Sequence, residues 1–436
     1  MPTDTPNSDA IEAELRQKQL PALAGRLPPG EFVLPDYDGL CLANIPATIA
    51  ALLGAELPGA CPPLRPELWR GWADGVRRVI FILVDALGYL QLRKAMARGD
   101  APAWNRLAER GELFPITTIF PSTTNAVLTT MWTGYSPAAH GLLAFELYLR
   151  EFGVVASALF FWPVAYHQHD MLVEWGLKPK EFVPVPAVGD VLRKQGIAMR
   201  TFTRERYIES ALSQMHRRGL ERIDGFVGAS DFWVGLRRAL GDSQEERLLI
   251  SAYWDEVDGI SHKYGPDDDS WFVELRTIGH MMEKEFLQRL SPAERDGTLL
   301  IITADHGVVP TLPEMAVKLD DHPVLRDALL IPPVGESRAP FFYPRAGHHE
   351  TVRNYLDGEL GDAFVTLERS TVLESELLGP GPVYRETPYR LGDLLALPRG
   401  QHYLAKKEKS LDMLGRHGGL SPVEMLVPLF IARLDA

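Results

Sequence analysis

The chain has 436 residues, enough for about two or three domains and a sizeable core. Apolar residues make up 46% and charged residues 24%, a globular balance that excludes a disordered or fibrous chain. Lys and Arg number 45 against 58 Asp and Glu, a net charge of −13. That balance excludes a surface built to coat nucleic acid, yet admits an anionic substrate wherever bound metal ions invert the local field.

The polar start, residues 1–19, has no apolar stretch of the kind a signal peptide needs, and no run approaches the roughly eighteen apolar residues of a membrane span. Cys41 and Cys61 are too few for a disulfide framework or a four-thiolate zinc site. The expected address is cytoplasmic, away from membranes. Residues 1–75 read as a helical lead-in packed on the core, with a weak amphipathic pattern over 12–24 and a helix over 45–53. Three apolar runs, 79–84, 248–253 and 299–302, carry the signature of strands buried on both faces. Helical patterns cover 91–110, 125–133, 188–195, 206–218 and 270–289. Such alternation indicates an α/β fold with a mainly parallel central sheet flanked by helices, the core spanning 76–309. Residues 310–400, rich in Pro, Gly and turn residues, read as a smaller inserted cap region. Residues 401–436 return to the core.

The first and last of these strands end in acids. Asp85 follows Val84, and Asp305-His306 follows shortly after Ile302. In open parallel sheets ligands bind beyond the carboxyl ends of strands, which is where these acids fall. Either Asp could instead cap the next helix. Asp258 and His262, four apart on a helical turn, face the same way and can chelate one ion. His417 lies in a glycine-flanked loop able to bring an imidazole to a site built elsewhere. Three carboxylates and three imidazoles suffice for two ions with open positions, an arrangement that can clamp both oxygens of a phosphoryl displacement. The cluster Ser122-Thr123-Thr124-Asn125 heads an apolar helix, where hydroxyls meet free amides at a positive helix end.

In this order the motifs resemble the alkaline phosphatase superfamily, and most closely its type I phosphodiesterase/nucleotide pyrophosphatase branch. They are V-D-A-L-G at 84–88, F-P-S-T-T-N at 120–125, T-G-Y-S-P-A-A-H-G at 133–141, D-G-I-S-H-K-Y-G-P at 258–266, A-D-H-G at 304–307 and H-G-G at 417–419. The resemblance implies Asp85, Asp305 and His306, with Thr124, around the ion that binds the nucleophile oxygen. It implies Asp258, His262 and His417 around the ion on the leaving-group side. The cofactors it implies are two Zn²⁺, with Mn²⁺ as the alternative. The nucleophile it implies is Thr124, picked over Thr123 by its spacing to Gly134 with Thr123 as the fallback, and the intermediate it implies is a phosphothreonine. The expected substrate is a small phosphate ester, a diester or nucleotide pyrophosphate, turned over by a monomer or homo-oligomer.

One departure stands out. Phosphodiesterase members place an Asn after the H-G pair to contact a phosphoryl oxygen, and here that position is Phe145, followed by Glu146. Asn125, Phe145 and Glu146 are therefore the expected substrate contacts, and Arg338 or Arg345 of the cap could supply a missing cation. The rival enzyme reading is a phosphomonoesterase or phosphonate hydrolase on the same core. The rival from another class is a catalytically silent metal- or ligand-binding protein. His322, His348 and His349 read as surface or packing residues, and Trp162, His167 and His169 as an aromatic cluster that is either core or a specificity pocket.

Overall fold

The three apolar runs become adjacent strands. In the computed structural model, which describes residues 7–220, 222–242 and 246–435, Arg78–Val84 lies between Leu248–Trp254 and Thr298–Thr303 and runs parallel to both. These strands are buried almost end to end, as aliphatic strands covered on both faces must be. Ala198–Arg204 and Arg222–Phe226 extend the sheet in the same direction. On the other side Leu426–Arg433 runs antiparallel between Thr298–Thr303 and Glu112–Thr117, completing seven strands. The architecture is the expected α/β one, with helices packed on the sheet.

Local chemistry breaks three of the expected helices. The 91–110 pattern splits into Tyr89–Ala97 and Pro102–Arg110. Gly99 turns the chain at φ +79° and Pro102 opens the second helix, where its missing N–H costs nothing. The 206–218 pattern yields a 3₁₀ turn, Glu205–Tyr207, and a helix, Ala211–His216, capped by Ser210. The 270–289 pattern yields the helix Asp269–Met281, which passes into a π turn over Met282–Phe286. In the lead-in the helix is Ser8–Gln17, earlier than the periodicity indicated, with Asn7 as its cap. No helix among the described residues is long and apolar enough to cross a membrane.

A second sheet of six antiparallel strands runs in the order Phe364–Glu368, Leu394–Pro398, Ala339–Phe342, Val334–Glu336, Glu146–Leu149, Val154–Ser157. Its last two strands come from within 76–309, so this sheet is assembled from two separate stretches of chain. Arg338, wholly buried, pairs through two 2.7 Å hydrogen bonds with the equally buried Glu424 beside the last core strand. This pair bolts the second sheet to the first.

Candidate active site

The carboxyl ends of the parallel strands carry the site. Asp85 follows the strand Arg78–Val84, and its N–H donates to the Trp254 carbonyl at 2.8 Å. Asp305, two residues beyond Thr298–Thr303, accepts the N–H groups of Ala86 and His306, each at 2.9 Å. Ala86 holds φ +62°, a left-handed conformation costly for any residue with a side chain. Asp258 and His262 sit on the helix Glu256–Tyr264 that follows Leu248–Trp254, with His262 Nε2 at 3.2 Å from Asp258. His417 arrives from the C-terminal loop. Its ring stacks on His306 with centroids 3.6 Å apart, and its Nε2 lies 3.8 Å from Asp258.

Two groups of donor atoms result, each with all atoms within 4.8 Å: Asp258, His262 and His417, and Asp85, Asp258 and His306. Asp258 reaches both, where the sequence assigned it to one. Asp305 keeps its place beside the second group, 3.3 Å from His306 Nε2.

Three features suit these residues to metal ligation. Asp85 Oδ1, Asp258 Oδ1 and Asp305 Oδ2 are buried with no hydrogen-bond partner in the protein, a costly state for a carboxylate unless a cation faces it. Each imidazole turns its Nδ1 to a backbone carbonyl: His262 to Gly415 at 2.8 Å, His417 to Ser122 at 2.9 Å, His306 to Gly307 at 3.2 Å. A carbonyl only accepts, so each ring carries a proton on Nδ1, and in the neutral ring it is the Nε2 lone pair that faces the cluster, as in metal-bound histidines. Burial also holds two of the three rings neutral. Burial, and then the charge of Asp305, raise Asp85 well above the usual carboxylate range, while burial takes His306 down to about 4 and His417 down to about 3. Burial would also depress His262, but the Asp258 charge outweighs it and lifts that ring to about 8.

Thr124 opens the helix Thr124–Thr133, and its Oγ1 lies 3.3 Å from His306 Nε2. The Thr123 hydroxyl points away and donates to Glu336 Oε1 at 2.6 Å. Of the two candidates, Thr124 faces the donor cluster.

The expected substrate contacts behave differently. Asn125 is buried and gives its amide to the Ala144 carbonyl at 2.8 Å, tying the helix Thr124–Thr133 to the strip that carries Phe145. Glu146 is paired with Lys406. Arg338 is consumed by Glu424, and exposed Arg345 gives its Nε–H to the Asp327 carbonyl. His322 and His349 bond Tyr355 and Glu368 in the cap, away from the cluster. Two functional neighbours escaped the sequence. Tyr253 donates its hydroxyl to Asp85. Glu336 accepts from Thr123 and from the Phe145 N–H, both at 2.6 Å, and burial pushes it up to about 7. Nothing local marks Glu336, because only the pairing of the second sheet brings it to the turn that carries Thr123 and Thr124.

Fold and donor cluster together define an alkaline-phosphatase-like α/β protein with an acid–imidazole centre at its strand ends. The model of the type I phosphodiesterase/nucleotide pyrophosphatase family matches residues 79–420, most of the chain, and the protein belongs to that family. Among solved structures it is similar to murine ectonucleotide pyrophosphatase/phosphodiesterase 5, an inactive form in complex with AMP. The TM-score is 0.63 at 16% identity, covering 81% of this chain and 87% of that one. The human counterpart gives the same TM-score, identity and coverage, 0.63, 16%, 81% and 87%. Phosphonoacetate hydrolase from Sinorhizobium meliloti 1021, in complex with phosphonoformate, gives a TM-score of 0.57 at 20% identity, covering 82% and 90%. No curated protein sequence matches significantly. At these identities the structural likeness is one of fold.

Proposed function

We propose that the chain is a two-metal phosphoryl-transfer hydrolase that cleaves phosphodiesters through a phosphothreonine on Thr124. The observation that carries this reading is the Thr124 hydroxyl 3.3 Å from His306 Nε2, inside a cluster whose three carboxylates each keep one unpartnered oxygen. Asp258, His262 and His417 would hold one ion, and Asp85, Asp305 and His306 with Thr124 the other. Mixed oxygen and nitrogen donors suit Zn²⁺, with Mn²⁺ the alternative. Divalent cations held there would supply Lewis-acid charge that favours the Thr124 alkoxide and offsets the charge on the leaving oxygen.

The chain's own residues do the rest. Thr124 Oγ1 forms its bond to phosphorus as the bond to the leaving alcohol breaks, and water then cleaves the phosphothreonine, returning Thr124 and releasing a monoester. His306, locked by its Nδ1–H to a carbonyl and stacked on His417, fixes the side on which Thr124 presents its oxygen. Glu336, beside the turn that carries Thr123 and Thr124, disfavours a monoester dianion relative to a diester monoanion once it ionises, above about pH 7.

The test is hydrolysis of a nitrophenyl phosphodiester by zinc-loaded protein, with acid quenching to trap the intermediate. Turnover abolished by chelation and restored by zinc, with phosphate mapped to Thr124, is expected. Turnover that survives chelation, or phosphate on another residue, overturns the proposal.

A further inference from the structure

A carboxylate can meet a cation through one oxygen or through both, and its own hydrogen bonds decide which. Around His306 the two strand-end acids each have one oxygen tied and one free. Asp305 accepts the N–H groups of Ala86 and His306 on Oδ1, both at 2.9 Å, while its Oδ2 is buried without a partner. Asp85 accepts the Tyr253 hydroxyl on Oδ2, while its Oδ1 is likewise buried without a partner. Asp258 differs, turning Oδ2 to His262 at 3.2 Å and Oδ1 to His417 at 3.8 Å.

The free atoms converge on His306 Nε2. Asp305 Oδ2 lies 3.3 Å from it, Thr124 Oγ1 3.3 Å and Asp85 Oδ1 3.5 Å. Four donors joined to one ion by bonds of about 2.0–2.1 Å at tetrahedral angles stand about 3.3–3.4 Å apart. Six donors held octahedrally at about 2.1 Å stand about 3.0 Å apart. The spacings around His306 Nε2 are those of four single-atom donors, and a second oxygen from either carboxylate would add a fifth.

The two ties are built differently. Backbone N–H groups make the one on Asp305. A single side chain from the neighbouring strand makes the one on Asp85. Tyr253 stands opposite Leu83 in the register of the parallel strands Leu248–Trp254 and Arg78–Val84, so its hydroxyl must reach two residues forward to Asp85. Two residues of extended strand rise about 7 Å, a distance that a tyrosine spans and a serine or threonine does not.

We propose that Tyr253 is a positioning residue that holds Asp85 as a one-oxygen ligand and so selects four-coordinate Zn²⁺ over six-coordinate Mn²⁺. The proposal rests on the two-metal reading above and adds what decides between the two ions. Without the hydroxyl, Asp85 Oδ2 is free to join Oδ1, an arrangement suited to an ion that takes six mainly oxygen donors.

The test is Tyr253→Phe, which keeps the ring and removes only the hydroxyl. Zn²⁺ and Mn²⁺ affinities are measured by chelator competition on the full chain stripped of metal, with no substrate present. Wild type is expected to show two binding steps for zinc. In the variant one zinc step should weaken about tenfold to a hundredfold. At that step Mn²⁺ should hold or tighten, and the other step should keep its wild-type zinc affinity. A tyrosine with a merely structural role would weaken both metals alike, so that result overturns the proposal, as does an unchanged zinc-to-manganese ratio. Hydrolysis of a nitrophenyl phosphodiester by zinc-loaded wild type is scored separately. A shifted ratio with no ester cleaved overturns the hydrolase reading and supports the role of Tyr253. Ester cleaved with an unshifted ratio overturns that role and leaves the hydrolase reading standing. A wild type that binds neither ion overturns both.

Discussion

Replacing Glu336 with Gln isolates one charge. Both hydrogen bonds it accepts, from Thr123 Oγ1 and the Phe145 N–H, fall on the same oxygen at 2.6 Å, and an amide oxygen can accept both. What changes is the proton. Burial raises Glu336 from 4.5 to about 7, and that gap corresponds to about 3 kcal/mol. Below pH 4.5 the carboxyl is protonated whether the chain is folded or not. Between 4.5 and about 7 the unfolded chain has released a proton that the folded chain keeps. Stability therefore falls as pH rises through this window and levels off above it. The Gln variant lacks the effect. Urea unfolding of chelated protein is the assay, because a cation nearby would favour the carboxylate and hide the window. The variant should match wild type near pH 4 and exceed it by about 3 kcal/mol at pH 8. A difference that does not vary with pH, or a variant less stable than wild type at pH 8, would refute the reasoning.

Thr124→Ala should keep its metals and lose most turnover, while Thr123→Ala keeps much of it; equal losses, or trapped phosphate on Thr123, would reverse the assignment. His262→Ala should lose or loosen mainly one ion, because His262 belongs to one donor group and Asp258 still reaches the other; elemental analysis showing both ions held at wild-type affinity would contradict it. An aryl phosphodiester should have a higher kcat/KM than the matching monoester, and a monoester preference of tenfold, about 1.4 kcal/mol, would end the diester reading.

The main sheet was legible because its strands are covered on both faces. A strand so placed has no polar alternation, and runs such as 79–84 and 299–302 have few other homes in a globular chain. Helix ends are less legible because periodicity runs through them while punctuation stops them: Gly99-Asp100-Ala101-Pro102 is a stop and restart inside an otherwise continuous pattern. The second sheet had no such local mark. Glu146 pairs with Gly335 across nearly two hundred residues, and nothing near either position encodes the register.

The donor residues could be read because each stands just past a buried strand, one helical turn from a partner, or between glycines. Glu336 could not, and the reason lies in how the cap is held. Two residues further on, Arg338 enters its buried pair with Glu424, and Glu424 also accepts the Gly419 N–H at 2.9 Å, in the loop that carries His417. Gly418 holds φ +118°, and a Cβ there would lie 2.6 Å from the Glu336 side chain, so the H-G-G loop is glycine-rich partly to let the cap strand approach. One buried ion pair thus sets the position of a carboxylate beside Thr123 and of an imidazole in the donor cluster. Removing either partner would strand a buried charge, a loss of about 3–5 kcal/mol, at the point where both are positioned. The second sheet is therefore part of the donor cluster's framework, and its contribution is written in pairings between distant residues that a linear reading cannot see.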